Sequence, residues 1–311
     1  MAVKTKFSKE DFSKILSNYD LGKYESFKTF AHGEAQTTLL LITPKGKFVL
    51  KYYENRQKNH VLFEVRLFNY LRSKKYPVPP IIKTSSGKYF GKYKGKPYII
   101  IGYIEGKHGK NPNDFFDLKE LEEVVKLVAK LHNLMRLYNP RYFKDRQEFN
   151  AEYCLREYKK RSRETEKNER ESWLKSELMK LEFPKSLPKV LCHADLNYSN
   201  FLFQKGKVVN VLDFDASFYS YLIYDIANLI YWWAWPPQKG FQEKEAKKVV
   251  SIYSKYHKLG ASEKKHIYDA LKLTILLGIS WSEEGDFEGE KKKIEFLNLI
   301  GREKFYNKMF N

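Results

Sequence analysis

The stretch from Leu191 to Asp215 gathers side chains suited to one kind of chemistry. It reads Leu-Cys-His193-Ala-Asp195-Leu-Asn197-Tyr-Ser-Asn200-Phe-Leu-Phe. Past a Lys205-Gly206-Lys207 turn it continues Val-Val-Asn-Val-Leu-Asp213-Phe214-Asp215. The spacing is H-x-D-x-x-x-x-N followed by D-F, with Asp195 and Asp213 eighteen residues apart. Phosphoryl transfer needs one carboxylate to orient an acceptor hydroxyl and take its proton. It also needs a carboxylate and an amide oxygen to hold a metal ion against nucleotide phosphates. Asp195 suits the first role, and Asn200 and Asp213 suit the second. Oxygen ligands of this kind suit Mg²⁺. A short loop over 197–200 can return Asn200 beside Asp195, and a hairpin over 201–212 can return Asp213 to the same mouth. His193 is expected to orient the loop, because Asp195 is available as the base. Asp215 stands open between a third metal ligand, an orienting group and a solvent-facing carboxylate.

A site of this kind also needs a cation on the nucleotide phosphates, held by a carboxylate from the next helix. The first hundred residues offer both. Thr37–Thr43 is rich in Leu, Ile and Thr, Pro44-Lys45-Gly46 is a turn signal, and residues 48–53 read as the returning strand carrying Lys51. A helix follows over about 60–73, with Val61, Val65, Phe68 and Leu71 on one face. Glu64 falls on that same face, where a carboxylate is costly without a partner. Lys51, thirteen residues earlier, is the partner proposed.

Around these residues the elements read as an α+β chain. Strand-prone runs lie at 27–31, 89–93 and 97–104, with prolines 77, 79 and 80 in a loop between. The pattern breaks at Glu105-Gly106, which divides the chain into residues 1–105 and 106–311. The second part is mainly helical. Asp117 and Glu120 resemble a capping box for a helix through Met135, and residues 155–182 read as a densely charged, exposed helical segment.

Composition bounds the possibilities. The chain has 311 residues, 42% of them hydrophobic, enough for a substantial core. No apolar run reaches membrane-spanning length, and the first ten residues do not read as a signal peptide. Two cysteines cannot build a disulfide framework, so a reduced, cytoplasmic setting is expected. The net charge of +19 reads as lysine spread over a solvated surface. A basic nucleic-acid-binding protein is disfavoured, because no reader motif is present.

With those motifs in view, the chain resembles the aminoglycoside-phosphotransferase and choline-kinase superfamily, and within it the homoserine kinases built on that fold. The likeness rests on His193-Ala-Asp195-Leu, Asp213-Phe-Asp215, Tyr224-Asp225-Ile-Ala and Ala129-Lys-Leu-His132. It extends to Gly33-Glu-Ala-Gln-Thr-Thr38 and Gly46-Lys-Phe-Val-Leu-Lys51-Tyr-Tyr-Glu54. The resemblance implies a bilobal, protein-kinase-like fold: an antiparallel N-lobe of five strands plus a helix that covers ATP, and a mainly helical C-lobe with the catalytic loop. It implies ATP and Mg²⁺ as cofactors, Gly33 in the nucleotide loop, adenine on the backbone of Gly102 and Ile104, and Asp225 as a brace for the catalytic loop. The acceptor it implies is L-homoserine, with choline, ethanolamine or an aminoglycoside as alternatives, and a non-catalytic nucleotide- or partner-binding relative as an alternative of another class. Asn197, Asp215, Tyr231 and Trp232 are the candidates for the acceptor pocket. The aromatic residues at 219–235 can form either a cage for a quaternary ammonium or, as favoured here, a helix packed in the core.

Overall fold

The computed structural model describes residues 5–30, 36–138, 149–161, 167–281 and 287–311. The chain divides into two compact units, changing over between Gly106 and Lys107, with Val209–Val211 grouped with the first unit.

The first unit begins with α1 (Lys9–Leu16), followed by β1 (Ser26–Thr29), β2 (Thr37–Thr43) and β3 (Gly46–Tyr52). It continues through α2 (Lys58–Ser73), β4 (Ile81–Ile82), β5 (Gly91–Tyr93) and β6 (Lys96–Gly102). The sheet runs β1-β2-β3-β6-β4 with β5 also on β6, and every pairing is antiparallel. That is six strands, not five. The extra one is the Ile81–Ile82 pair directly after the prolines, whose two residues meet Ile101 and Ile100. The β2–β3 hairpin turns where expected, and Gly46 takes φ +126° there, a conformation that favours glycine. It pairs Thr38 with Lys51.

The helix α1 was not anticipated from the sequence. Ser8 and Asp11 close a reciprocal cap on it: Asp11 N–H donates to Ser8 Oγ at 3.2 Å and Ser8 N–H to Asp11 Oδ2 at 2.8 Å. Its face of Phe12, Ile15 and Leu16 packs on Leu39, Leu41, Leu50 and Ile100 of the sheet.

The second unit comprises β7 (Lys107–His108), α3 (Leu118–Met135), α4 (Ala151–Arg161), α5 (Lys167–Met179), β8 (Lys189–Cys192), β9 (Phe201–Gln204), β10 (Lys207–Val211) and β11 (Phe218–Tyr221). It ends in α6 (Ile223–Ala234), α7 (Glu243–Tyr256), α8 (Ala261–Trp281), α9 (Phe287–Ile300) and α10 (Arg302–Phe310). The start of α3 is only half as expected. Asp117 caps the N–H groups of Lys119 and Glu120, but Glu120 turns to the N–H of Lys110 instead of closing a box. The charged segment over 155–182 takes in the end of α4 and the whole of α5, and its apolar residues Leu174 and Leu178 are buried. Apolar nearly all round, α6 is buried against α8, α7 and α3. No helix among the described residues is long and apolar enough to cross a membrane.

Candidate active site

Strand β8 pairs antiparallel with β11, and the backbone leaving it enters the segment 193–200. Ala194 lies there at φ +69°. A non-glycine residue in that region costs on the order of 1–3 kcal/mol and persists only where its surroundings impose it. Here they do. Asp225, fully buried near the start of α6, accepts the N–H of His193 at 2.8 Å and of Ala194 at 2.9 Å. His132 Nε2 donates to the same carboxylate at 2.9 Å, and Tyr253 OH bonds His132 Nδ1 at 2.6 Å. A buried carboxylate with three such donors is compensated for its desolvation. The brace expected at Asp225 is therefore present, and His132 is a satisfied helix histidine that belongs to it. Cys192 lies within the same buried cluster. Both oxygens of Asp225 are taken by protein donors, so this cluster is a brace and does not suit a metal.

One turn on, α6 grips the loop a second time. Asn228 Oδ1 accepts the N–H of Leu196 at 2.6 Å, and Trp233 Nε1 donates to the carbonyl of Leu196 at 2.9 Å. Asp195 is thus flanked on both sides by backbone fixed to one helix. Neither Asn228 nor Trp233 was picked out from the sequence. The legible signal was a lone amide among apolar residues, three positions after Asp225.

The carboxylate of Asp195 accepts from Asn200 Nδ2 at 2.8 Å, and the same nitrogen donates to the Asp195 carbonyl at 2.9 Å. Burial raises the pKa of Asp195 above the ordinary carboxylate value. The His193 ring lowers it, the charge of Asp213 raises it, and the hydrogen bonds from Asn200 and the Asn197 N–H lower it, leaving a net rise. His193 Nε2 donates to the Leu212 carbonyl at 2.8 Å, and its Nδ1 accepts the Asp195 N–H at 3.3 Å. Both ring nitrogens are committed to backbone, so His193 positions the loop. Leu212 N–H donates to the Asn200 carbonyl at 2.8 Å. These bonds bring the end of the hairpin back to the loop that opens it. Asp213 follows, exposed, at φ +54° and ψ +68°.

The donor set at this point fits a hard divalent cation. With its nitrogen committed to Asp195, Asn200 has its side-chain oxygen as the group to present, and Asp213 supplies an exposed carboxylate. Asp215 donates its N–H to Asp213 Oδ1 at 3.3 Å. Asn197 spends its side-chain oxygen on the Ser199 N–H, capping the turn 198–200.

In the first unit, Lys51 Nζ donates to Glu64 Oε1 at 2.8 Å, and Tyr53 OH donates to Glu64 Oε2 at 2.8 Å. The side chains of Lys51 and Glu64 are 11% and 2% exposed, so this is a buried pair. The carboxylate on the apolar face of α2 has the partner its position demanded. A second buried carboxylate was overlooked. Glu54 accepts from Thr37 Oγ1, Thr5 and Lys96 Nζ, and its N–H bonds Gln36. Burial pushes its pKa up, but Lys96 and the two threonines outweigh that and hold it at about 2. Gly33 lies outside the described residues. Gly102 N–H donates to the Pro80 carbonyl at 2.8 Å. A Cβ there would sit 2.8 Å from the Pro80 ring, so glycine is required by the close approach.

The acceptor candidates separate. Tyr224, Trp233 and Trp235 are buried and Tyr219 is 46% exposed, an arrangement of core packing and not of one cage. Tyr231 is half-buried, and its hydroxyl donates to Glu290 Oε1 on α9 at 3.0 Å. Trp232, also half-buried, stacks edge-on against it at 5.1 Å.

The chain is similar to known small-molecule kinases. A homoserine kinase of Rhodopseudomonas palustris (strain BisA53) is 29% identical over 276 residues, covering 88% of this chain and 82% of its own. Another, from Rhodopseudomonas palustris (strain ATCC BAA-98 / CGA009), is 26% identical over 311 residues, covering 96% and 94%. Among solved structures, an amicoumacin kinase in complex with AMP-PNP, Ca²⁺ and Ami superposes with a TM-score of 0.72 at 19% identity, covering 97% of this chain and 94% of that one. A microcompartment-associated aminopropanol kinase superposes with a TM-score of 0.63 at 15% identity, covering 92% and 93%. The fold is the bilobal α+β fold of these kinases. The model of the APH phosphotransferase enzyme family matches residues 26–249, a span that takes in Lys51, Glu64, Asp195, Asn200 and Asp213, and the chain belongs to that family as a small-molecule kinase.

Proposed function

We propose that this chain is a homoserine kinase, moving the γ-phosphoryl group of ATP to the side-chain hydroxyl of L-homoserine. The observation that carries the reading is the similarity to homoserine kinases along nearly the whole chain. The Asp195–Asn200–Asp213 geometry supports the chemistry. In this reading Asp195 orients the acceptor hydroxyl and takes its proton as the new oxygen–phosphorus bond forms. The bond from the γ-phosphorus to the β–γ bridging oxygen breaks, and ADP leaves with that electron pair. Asn200 serves twice, fixing Asp195 through its nitrogen and offering its oxygen, with Asp213, to Mg²⁺. Magnesium, when bound there, would supply charge neutralisation to the nucleotide phosphates. Lys51, steadied by Glu64 and Tyr53, engages the nucleotide phosphates, and the backbone at Gly102 and Ile104 receives the adenine. His193, Asp225, Asn228 and Trp233 hold the loop in place. The setting proposed is the cytoplasm, where ATP is supplied and the buried thiols of Cys154 and Cys192 stay reduced.

The test is ADP release by purified protein over L-homoserine, choline, ethanolamine and an aminoglycoside. Turnover with homoserine alone is expected. Turnover with choline and none with homoserine refutes the acceptor assignment.

A further inference from the structure

Tyr231, Glu290 and Lys293 form a compact polar group within the second unit. Tyr231 OH donates to Glu290 Oε1 at 3.0 Å, and Lys293 Nζ bonds the same oxygen at 2.6 Å. Lys293 Nζ also lies 4.4 Å from the centroid of the Tyr231 ring. The side chains of Glu290 and Lys293 are only 14% and 11% exposed. Both bonds fall on Oε1. The other oxygen, Oε2, is buried and has no hydrogen-bond partner among the described residues. A buried carboxylate oxygen left without a donor is costly and calls for an explanation.

The position of the group supplies one. Tyr231 stands three residues after Asn228 on α6, about 4.5 Å along the axis from the residue that grips Leu196. Tyr231 is thus carried by the helix that sets the catalytic loop. Gly278 on α8 packs beside its hydroxyl, where a Cβ would lie 3.9 Å from that oxygen, in ordinary van der Waals contact. Glu290 and Lys293 sit on α9, beyond residue 249 where the match to the general phosphotransferase family ends. Chemistry shared by the family lies inside that span, and recognition of a particular acceptor can lie outside it. The pair is a fixed negative and positive charge side by side, the complement of a molecule bearing an ammonium and a carboxylate on one carbon.

We propose that Glu290 and Lys293, set by Tyr231, recognise the charged end of a zwitterionic amino-acid acceptor, Glu290 Oε2 taking the ammonium and Lys293 the carboxylate. An ammonium has three donors, so Lys293 can keep its bond to Glu290 and still reach a ligand. The proposal rests on the reading of the chain as a homoserine kinase and says how that substrate is told from a simple amino alcohol.

Truncated acceptors test it on the full chain. 3-Aminopropan-1-ol lacks the carboxylate of homoserine, and 4-hydroxybutyrate lacks the ammonium. Lys293→Met is expected to raise KM for homoserine roughly 10- to 100-fold, the loss of one charged hydrogen bond, and to leave KM for 3-aminopropan-1-ol within about twofold. Glu290→Gln is expected to raise KM for homoserine to a similar degree and to spare 4-hydroxybutyrate. KM for ATP should stay unchanged in both. Tyr231→Phe, which removes one hydroxyl and disturbs the fold least, should raise KM for homoserine a few-fold. Equal losses on all three acceptors, or an unchanged homoserine KM in the variants, overturn the inference while leaving the homoserine kinase reading standing. A wild-type protein that phosphorylates other acceptors and not homoserine removes that reading, and this inference with it.

Discussion

Replacing Asn228 by alanine separates the grip on the catalytic loop from the chemistry. In the native protein Asn228 Oδ1 takes the N–H of Leu196 at 2.6 Å, in a buried setting. Alanine leaves that N–H without a partner, a loss of about 1–3 kcal/mol. The neighbouring strain at Ala194 is still held by Asp225, which takes the N–H groups of His193 and Ala194. Trp233 still holds the Leu196 carbonyl, so the loop should stay folded but sit less firmly. A misplacement of about 1 Å at a reacting group costs on the order of 100-fold. The expected result is a kcat lowered roughly 10- to 100-fold, KM for ATP within about twofold, and a modest drop in Tm. Steady-state kinetics with a coupled ADP assay and a thermal melt give all three numbers. A kcat within twofold of wild type together with a lowered Tm would refute the claim that Asn228 positions the base, and would leave it a packing residue.

Three further outcomes follow from the same geometry. Asp213→Ala should abolish turnover and weaken Mg·ATP binding by calorimetry, and an unchanged affinity would remove Asp213 from the metal site. Breaking the buried Lys51–Glu64 pair through Lys51→Met should cost about 3–5 kcal/mol of local stability, because Glu64 loses its cation and keeps, among the described residues, the Tyr53 hydroxyl, and should lower kcat/KM for ATP far more than it changes KM for the acceptor. Glu54 is held at about 2 against an ordinary 4.5, a depressed pKa, so its contribution is present above pH 4.5 and lost as the pH falls toward 2. Denaturation of Glu54→Gln across that window should therefore show a flatter acid loss than wild type, by up to about 3 kcal/mol, and parallel curves would contradict the role given to Lys96 and Thr37.

What could be read from the sequence was what is local. His193, Asp195, Asn200 and Asp213 lie on one loop and one hairpin, so their spacing alone predicted their meeting; Leu212, next to Asp213, donates to the Asn200 carbonyl and accepts from His193. Glu64 betrayed itself as a charge on an apolar helix face. The residues that escaped notice act across long separations. Asn228 and Trp233 reach the loop from 32 and 37 residues away. Glu290 and Lys293 lie in a lysine-rich stretch whose composition suits a solvated helix, and only the packing of α9 on Tyr231 sets them apart. Helix α1 has eight residues and an aspartate where a capping box usually has glutamate, which weakens its signal. Strand β4 has two residues, too few for any alternation to show.

The central claim is that Asp195 takes the proton of a homoserine hydroxyl. Single-turnover phosphorylation of L-homoserine by wild type and by Asp195→Asn, with ATP binding followed in parallel, tests it most directly. The rate constant should fall by roughly 10²–10⁴, the range for loss of a general base, while nucleotide affinity is kept. A rate within a few-fold of wild type would contradict the account.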